Sequence, residues 1–92
     1  MSDYRISFTN RMVRDRQRLI RRGKDMAKLE SVLGLLAADA PLPTPLRDHA
    51  LTGEWRGFRD CHIEPDWVLI YAKDRDRLVL VAVATGTHAD LF

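Results

Sequence analysis

The side chains best suited to moving protons in this 92-residue chain are its three histidines, His49, His62 and His88. The first two lie in a tract, Arg47 to Tyr71, that also carries both tryptophans, Trp55 and Trp67, the single cysteine, Cys61, and the tripeptide Glu64-Pro65-Asp66. Imidazole titrates near neutrality, and beside carboxylates and flat aromatic rings it forms the inventory of an acid/base site that handles a nucleotide. Alternation along a strand places Phe58, Asp60 and His62 on one face and Arg59, Cys61 and Ile63 on the other. Asp60 and His62 then stand about 7 Å apart. Cys61 points away from His62, which argues against a cysteine–histidine nucleophile, and it reads as a small core residue. With His49 just before this strand and His88 just after the last one, a compact sheet brings the three imidazoles toward Asp60 and Asp66.

A metal centre is the competing use of such residues. The histidines are scattered, with no helical pair at i,i+4, no CxxC knuckle and no acid-rich loop, so no metal is expected. A phosphate-binding loop, a dinucleotide glycine fingerprint and a serine elbow are also missing from the sequence. Acid/base chemistry without a metal or cofactor remains. Trp55, Phe58, Trp67, Tyr71 and the terminal Phe92 offer stacking surfaces, each worth about 1–3 kcal/mol per base. Some must be core, because either Trp67, Leu69 and Tyr71 or Val68 and Ile70 face the helices.

The elements that position these groups follow from periodicity. Tyr4–Phe8 alternates like a strand with one buried face. Thr9 caps a helix with Met12, Val13, Leu19 and Ile20 inward and Gly23 as its stop. Its other surface carries Arg11, Arg14, Arg18 and Arg22 as one stripe. Asp25 caps a second helix to about Ala38, with Met26, Leu29, Leu33 and Leu36 facing the core. Ala40–Pro45 forms a crossing loop. Three strands then follow, Trp55–Ile63, Trp67–Lys73 and Leu78–Ala84, close enough for an antiparallel meander. The order β-α-α-β-β-β gives an α+β fold, a helix hairpin on a four-stranded, mainly antiparallel sheet.

Ninety-two residues make a single domain, residues 1–92, with a modest core. One cysteine forms no internal disulfide, and no segment has the charge or length of a secretory signal or a bilayer span. A cytoplasmic protein is expected. The formal charge of +2 hides an asymmetry. Residues 1–24 hold eight Lys/Arg against two acids, and residues 25–92 hold seven against eleven, giving +6 and −4. The basic first quarter points to a polyanion or an acidic protein as partner, against the plainer reading of a solvated helix face.

The motif Arg47-Asp48-His49-x-Leu51-x-Gly53-x-Trp55-x-Gly57-x-Arg59-Asp60-Cys61-His62-Ile63-x-Pro65-Asp66-Trp67-x-Leu69-Ile70-Tyr71 is followed by Thr85-Gly86-Thr87-His88-x-Asp90-Leu91-Phe92. Together they resemble the YafQ branch of the RelE-type toxins. The resemblance implies a bacterial type II toxin, an endoribonuclease that cuts mRNA in the ribosomal A site and is silenced by a cognate antitoxin, with a toxin–antitoxin heterotetramer and a monomeric free toxin. It implies proton transfer by His49, His62, Asp66 and His88 and positioning of the message by Trp67 and Phe92; Asp60, on the His62 face of its strand, is the weaker supporting candidate. His88 is the expected acid and His62 or Asp66 the base. Relatives often carry arginine where this chain has Ala84, so Arg59, Arg47 or a ribosomal group is expected to face the phosphate instead. Arg11, Arg14, Arg18 and Arg22 would bind either ribosomal RNA or the antitoxin. The alternative on the same fold is a non-catalytic, ParE-like toxin that poisons a protein target such as gyrase.

Overall fold

A computed structural model describes residues 3–92. The first strand, β1 (Arg5–Phe8), follows a buried Tyr4 whose amide donates to the Ala37 carbonyl. It runs parallel to the last strand, β5 (Val79–Gly86), with Ile6 opposite Leu80. Because β1 is a sheet edge, the face expected to be buried is only partly so: Ile6 and Phe8 keep 38% and 37% of their surface.

Helix α1 (Asn10–Arg21) is capped by Thr9, whose hydroxyl accepts the Met12 amide at 3.0 Å. It ends in a Schellman turn at Gly23, where Lys24 and Gly23 amides donate to the Leu19 and Ile20 carbonyls. Helix α2 (Met26–Ala37) is capped by Asp25. A second Schellman turn, on Asp39 at φ 56°, stops it before the prolines do.

The inward side of α1 differs from the expected one. Met12, Asp15 and Leu19 face the sheet, while Val13 and Ile20 are 42% and 56% exposed. Asp15 explains the rotation. Its Oδ2 accepts the buried Thr85 amide at 3.1 Å, and Arg18 donates to Oδ1 at 2.8 Å, so the carboxylate is worth burying at the centre of the interface. Asp15→Ala leaves that amide unpaired and should cost about 2–3 kcal/mol, read as a lower midpoint in urea at unchanged slope. Asp15→Asn, which keeps an acceptor, should cost less.

The sheet has five strands in the order β1-β5-β4-β3-β2, one more than expected. The addition is the two-residue β2 (His49–Ala50), antiparallel to β3 (Arg59–Glu64). β3 starts later than the expected Trp55, because Gly53–Trp55 closes a 3-10 turn. β4 (Trp67–Asp74) completes the meander. A bulge shifts the β4–β5 register between Ile70 and Tyr71, and the Thr9 hydroxyl donates to the Val83 carbonyl there at 2.7 Å.

Both faces of the sheet are covered. Trp67, Leu69, Tyr71 and Cys61 pack with Met12, Leu19, Leu29, Leu33 and Leu36. Val68, Ile70 and Ala84 pack on the opposite face with Leu91, beneath Leu51, Trp55 and Phe58. Of the two β4 sets, Trp67, Leu69 and Tyr71 face the helices, and Val68 and Ile70 are buried too, on the opposite face. Leu91 belongs to a short helix absent from the expected order, α3 (His88–Leu91). Among the described residues no helix is long and apolar enough to cross a membrane.

Candidate active site

Strand alternation on β3 sends Cys61 into the helix-side core and turns Asp60 and His62 to the other face. Burial pushes the Cys61 thiol up to about 12, so it is an inert core group. Pairing of β2 with β3 sets His49 directly opposite Asp60. The turn after β3 carries Asp66, and α3 starts on His88 as soon as β5 ends. The start of β2, the interior of β3 and the residue that opens α3 after β5 thus deliver the histidines to one place. The His62 ring centre lies 5.2 Å from that of His88 and 6.4 Å from that of His49.

The outer two imidazoles are held through Nδ1. His88 Nδ1 lies 2.7 Å from Asp66 Oδ1, and the same oxygen accepts the His88 amide at 2.9 Å. Those bonds, the amide's first, hold the Asp66 carboxyl below the usual carboxylate range. His49 Nδ1 lies 2.8 Å from the Arg47 carbonyl oxygen and 3.0 Å from Asp60 Oδ1. It is aligned with the carbonyl, so Asp60 Oδ1 stays enclosed without a well-formed hydrogen bond. In both rings Nε2 is left as the nitrogen free for other partners.

Asp60 is 3% exposed. Burial raises its carboxyl above the usual range, opposed by the three histidines. Burial likewise lowers His62 from its ordinary value of 6.5, with Asp60 opposing and His88, Arg47 and His49 adding to the fall. A neutral imidazole in the middle is a proton acceptor, and a flanking imidazole on a carboxylate can deliver a proton. Arg47, left-handed at φ 52°, lines a cleft of about 520 Å³ with His62, Leu46 and Ile63. Phe92, 58% exposed, stands 6.3 Å from the His88 ring and 6.4 Å from Trp55, centre to centre.

Several expected residues lie elsewhere. Trp67 is 1% exposed, its Nε1 donating to Thr85 Oγ1 at 2.9 Å, so its face is closed to a base. Arg59 alternates to the opposite side of β3, where it bonds Asp48 at 3.2 Å beside Tyr71. Ala84 is fully buried on the site's side of the sheet and supplies no charge. In the arginine stripe, Arg11 and Arg18 pair with Asp15, and Arg22 with Asp90. Only Arg14 of the four makes no ion pair among the described residues. The residues missed are Asp15, Asp90 and Trp55 as the tryptophan beside Phe92. Thr87-x-x-Asp90 does carry a capping-box signal, and the lone acid between Met12 and Leu19 was equally visible.

A family model described as a bacterial toxin of type II toxin–antitoxin system, YafQ, matches residues 4–92. The mRNA interferase toxin YafQ of Escherichia coli strain K12 is 44% identical over 88 residues, 95% of this chain and 94% of the relative. A crystal structure of the E. coli DinJ–YafQ toxin–antitoxin complex matches with a TM-score of 0.88 at 41% identity, covering 98% of each chain. A metal-bound toxin from Helicobacter pylori matches with a TM-score of 0.91 at 34% identity, covering 97% of this chain and 99% of that one. Among the described residues no group of three or more His, Cys, Asp or Glu is disposed to hold a metal ion.

Proposed function

This chain belongs to the YafQ family of bacterial type II toxin–antitoxin toxins, and we propose that it is an endoribonuclease that cuts mRNA in the A site of the translating ribosome by metal-free acid/base catalysis. The observation that carries the reading is the approach of three imidazoles to one another beside Asp60, Asp66 and the exposed Phe92. His62 takes the proton of a ribose 2′-hydroxyl, the oxygen attacks the adjacent phosphorus in line, and His88 gives its proton to the departing 5′-oxygen. Asp66 orients His88, a role its two bonds to that residue support better than that of base. His49 and Asp60 flank the reacting groups. Arg47, on the same side as His62, is the cation placed to meet phosphate charge, since Arg59 and position 84 do not. Phe92, with Trp55 against it, stacks on the message.

The partners are a cognate antitoxin, as DinJ is for the E. coli relative, and the ribosome. Assembly as a heterotetramer with the antitoxin, a monomeric free toxin and a cytoplasmic location accompany this reading. Arg14 and the exposed Val13 and Ile20 leave one side of α1 available to such a partner. The ParE-like alternative has less behind it, because occupying a protein target needs no enclosed carboxylate among imidazoles.

A pH effect follows from His62. Its lowered value keeps the ring neutral at about pH 7, so the limb of the single-turnover rate profile that reports the base should lie on the acid side of 6.5, where the ring becomes protonated. Fragment ends test the chemistry. Attack by the 2′-oxygen leaves a 2′,3′-cyclic phosphate and a 5′-hydroxyl, whereas 5′-phosphate ends would mean that water was the nucleophile and the assignment wrong.

A further inference from the structure

We propose that Asp90, clamped by Arg22 and Arg11, is a positioning residue that fixes the terminal turn carrying His88 to helix α1 and thereby aims the proton donor. The inference rests on the reading of His88 as the acid.

The turn needs an external tie. α3 has four residues. A helix that short does not hold itself together in water. One anchor is apolar, Leu91 in the small core, and a second is Asp66, which holds the His88 amide and ring. The third, and the one that reaches α1, is Asp90. Its Oδ2 accepts the Thr87 amide at 2.9 Å while its own amide donates to Thr87 Oγ1 at 3.1 Å, closing a capping box around His88. The same carboxylate receives Arg22 Nη1 at 2.8 Å and Nη2 at 3.4 Å. Arg11 Nη2 donates to the Asp90 carbonyl at 3.2 Å. Arg11 in the first turn of α1 and Arg22 at its C-terminal cap therefore grip a single residue from both its backbone and its side chain.

Two further observations agree. A Cβ on Gly86 would come within 2.7 Å of Asp90 Oδ2 and 2.9 Å of its Cβ, so the bare backbone at 86 is what lets the carboxylate reach the arginine. Arg22 and the capping bonds also hold the Asp90 carboxyl far below the usual carboxylate range. Asp90 itself faces α1 and not the imidazole row, which makes it a support for His88 and not a reacting group. Misplacement of a catalytic group by about 1 Å can cost on the order of 10²-fold in rate.

The test is single-turnover cleavage on programmed ribosomes, measured to saturation in toxin. Asp90→Ala and Arg22→Ala should each lower the saturated rate about 10- to 100-fold while the half-saturating concentration stays within about threefold. Arg22→Lys should recover most of the rate lost in Arg22→Ala. Asp90→Asn keeps the capping acceptor but weakens the ion pair, guarding against a variant that simply unfolds, and should fall between wild type and Asp90→Ala. The decisive arm is His88→Ala with and without Asp90→Ala. If the clamp acts through His88, Asp90→Ala adds nothing once the imidazole is gone. Full activity of Asp90→Ala, a loss confined to half-saturation, or a loss equally large without His88 would overturn the clamp. If His88→Ala alone keeps its rate, the acid assignment fails, and that outcome is distinct from a clamp that does not matter.

Discussion

His88→Ala should lower single-turnover mRNA cleavage on the ribosome by about 10²- to 10⁴-fold, the usual worth of one general acid, and leave stability nearly unchanged. His88 is an exposed first residue of α3, and its side-chain bond is to an exposed Asp66, so removing it opens no cavity and strands no buried group. The large effect is expected because the 5′-oxygen is a poor leaving group without a proton. His88→Gln should not rescue, since an amide can hydrogen-bond but cannot give up a proton in the transition state. Asp66→Asn should have a smaller effect of the same kind, because the His88 ring and amide both lose a charged acceptor. Recovery of cognate antitoxin binding by each variant would show that the fold is intact. A rate for His88→Ala within about tenfold of wild type would remove this residue from the chemistry.

Trp67→Ala should instead act through stability, by about 3–5 kcal/mol. The indole is enclosed on the helix side, with Lys24 Nζ 5.4 Å from its ring centre and Thr85 accepting its N–H. Thr85 Oγ1 in turn donates to the Val68 carbonyl at 2.8 Å, and the Thr85 amide is the one that Asp15 accepts. Removing the indole therefore opens a large void at the middle of a polar chain linking α1, β5 and β4. A domain this size has about 5–14 kcal/mol of stability in total, so the variant loses a large share of it and should unfold at a markedly lower temperature. Trp67→Phe should retain most of the stability and, per folded molecule, most of the cleavage rate. The rival view, in which Trp67 stacks on the message, predicts the reverse: a stable Trp67→Ala with little activity. Thermal unfolding alongside single-turnover rates separates the two. Trp55, beside Phe92, is the tryptophan whose loss should weaken engagement of the message.

The contrast between the two tryptophans shows what the sequence could and could not reveal. Local rules read well. Thr9 and Asp25 cap their helices, Gly23 ends the first, and alternation on β3 separates Cys61 from Asp60 and His62 as expected. These features depend on neighbours within a few residues, where sterics and the hydrogen-bonding of short polar side chains decide. What failed depended on distant partners. The α1 stripe had the right spacing, but Asp15 and Asp90 neutralise three of its four arginines, and Asp90 meets Arg22 across 68 positions. Trp67 alternates with Val68 in a way that left its side open, and packing against the distant helix residues Met12, Leu19 and Leu33 is what buries it. β2 is two residues long and α3 four, below the length at which periodicity is visible, yet they carry His49 and His88. The composition of the site was therefore legible before its architecture was.

Mapping the ends of mRNA in a translating extract supplied with the purified toxin tests the central claim most directly. The account predicts new 5′-hydroxyl ends inside open reading frames. They should disappear when the start codon is removed so that ribosomes do not transit, and also with His88→Ala. Cuts that persist in untranslated message, or intact mRNA under full growth arrest, would contradict it.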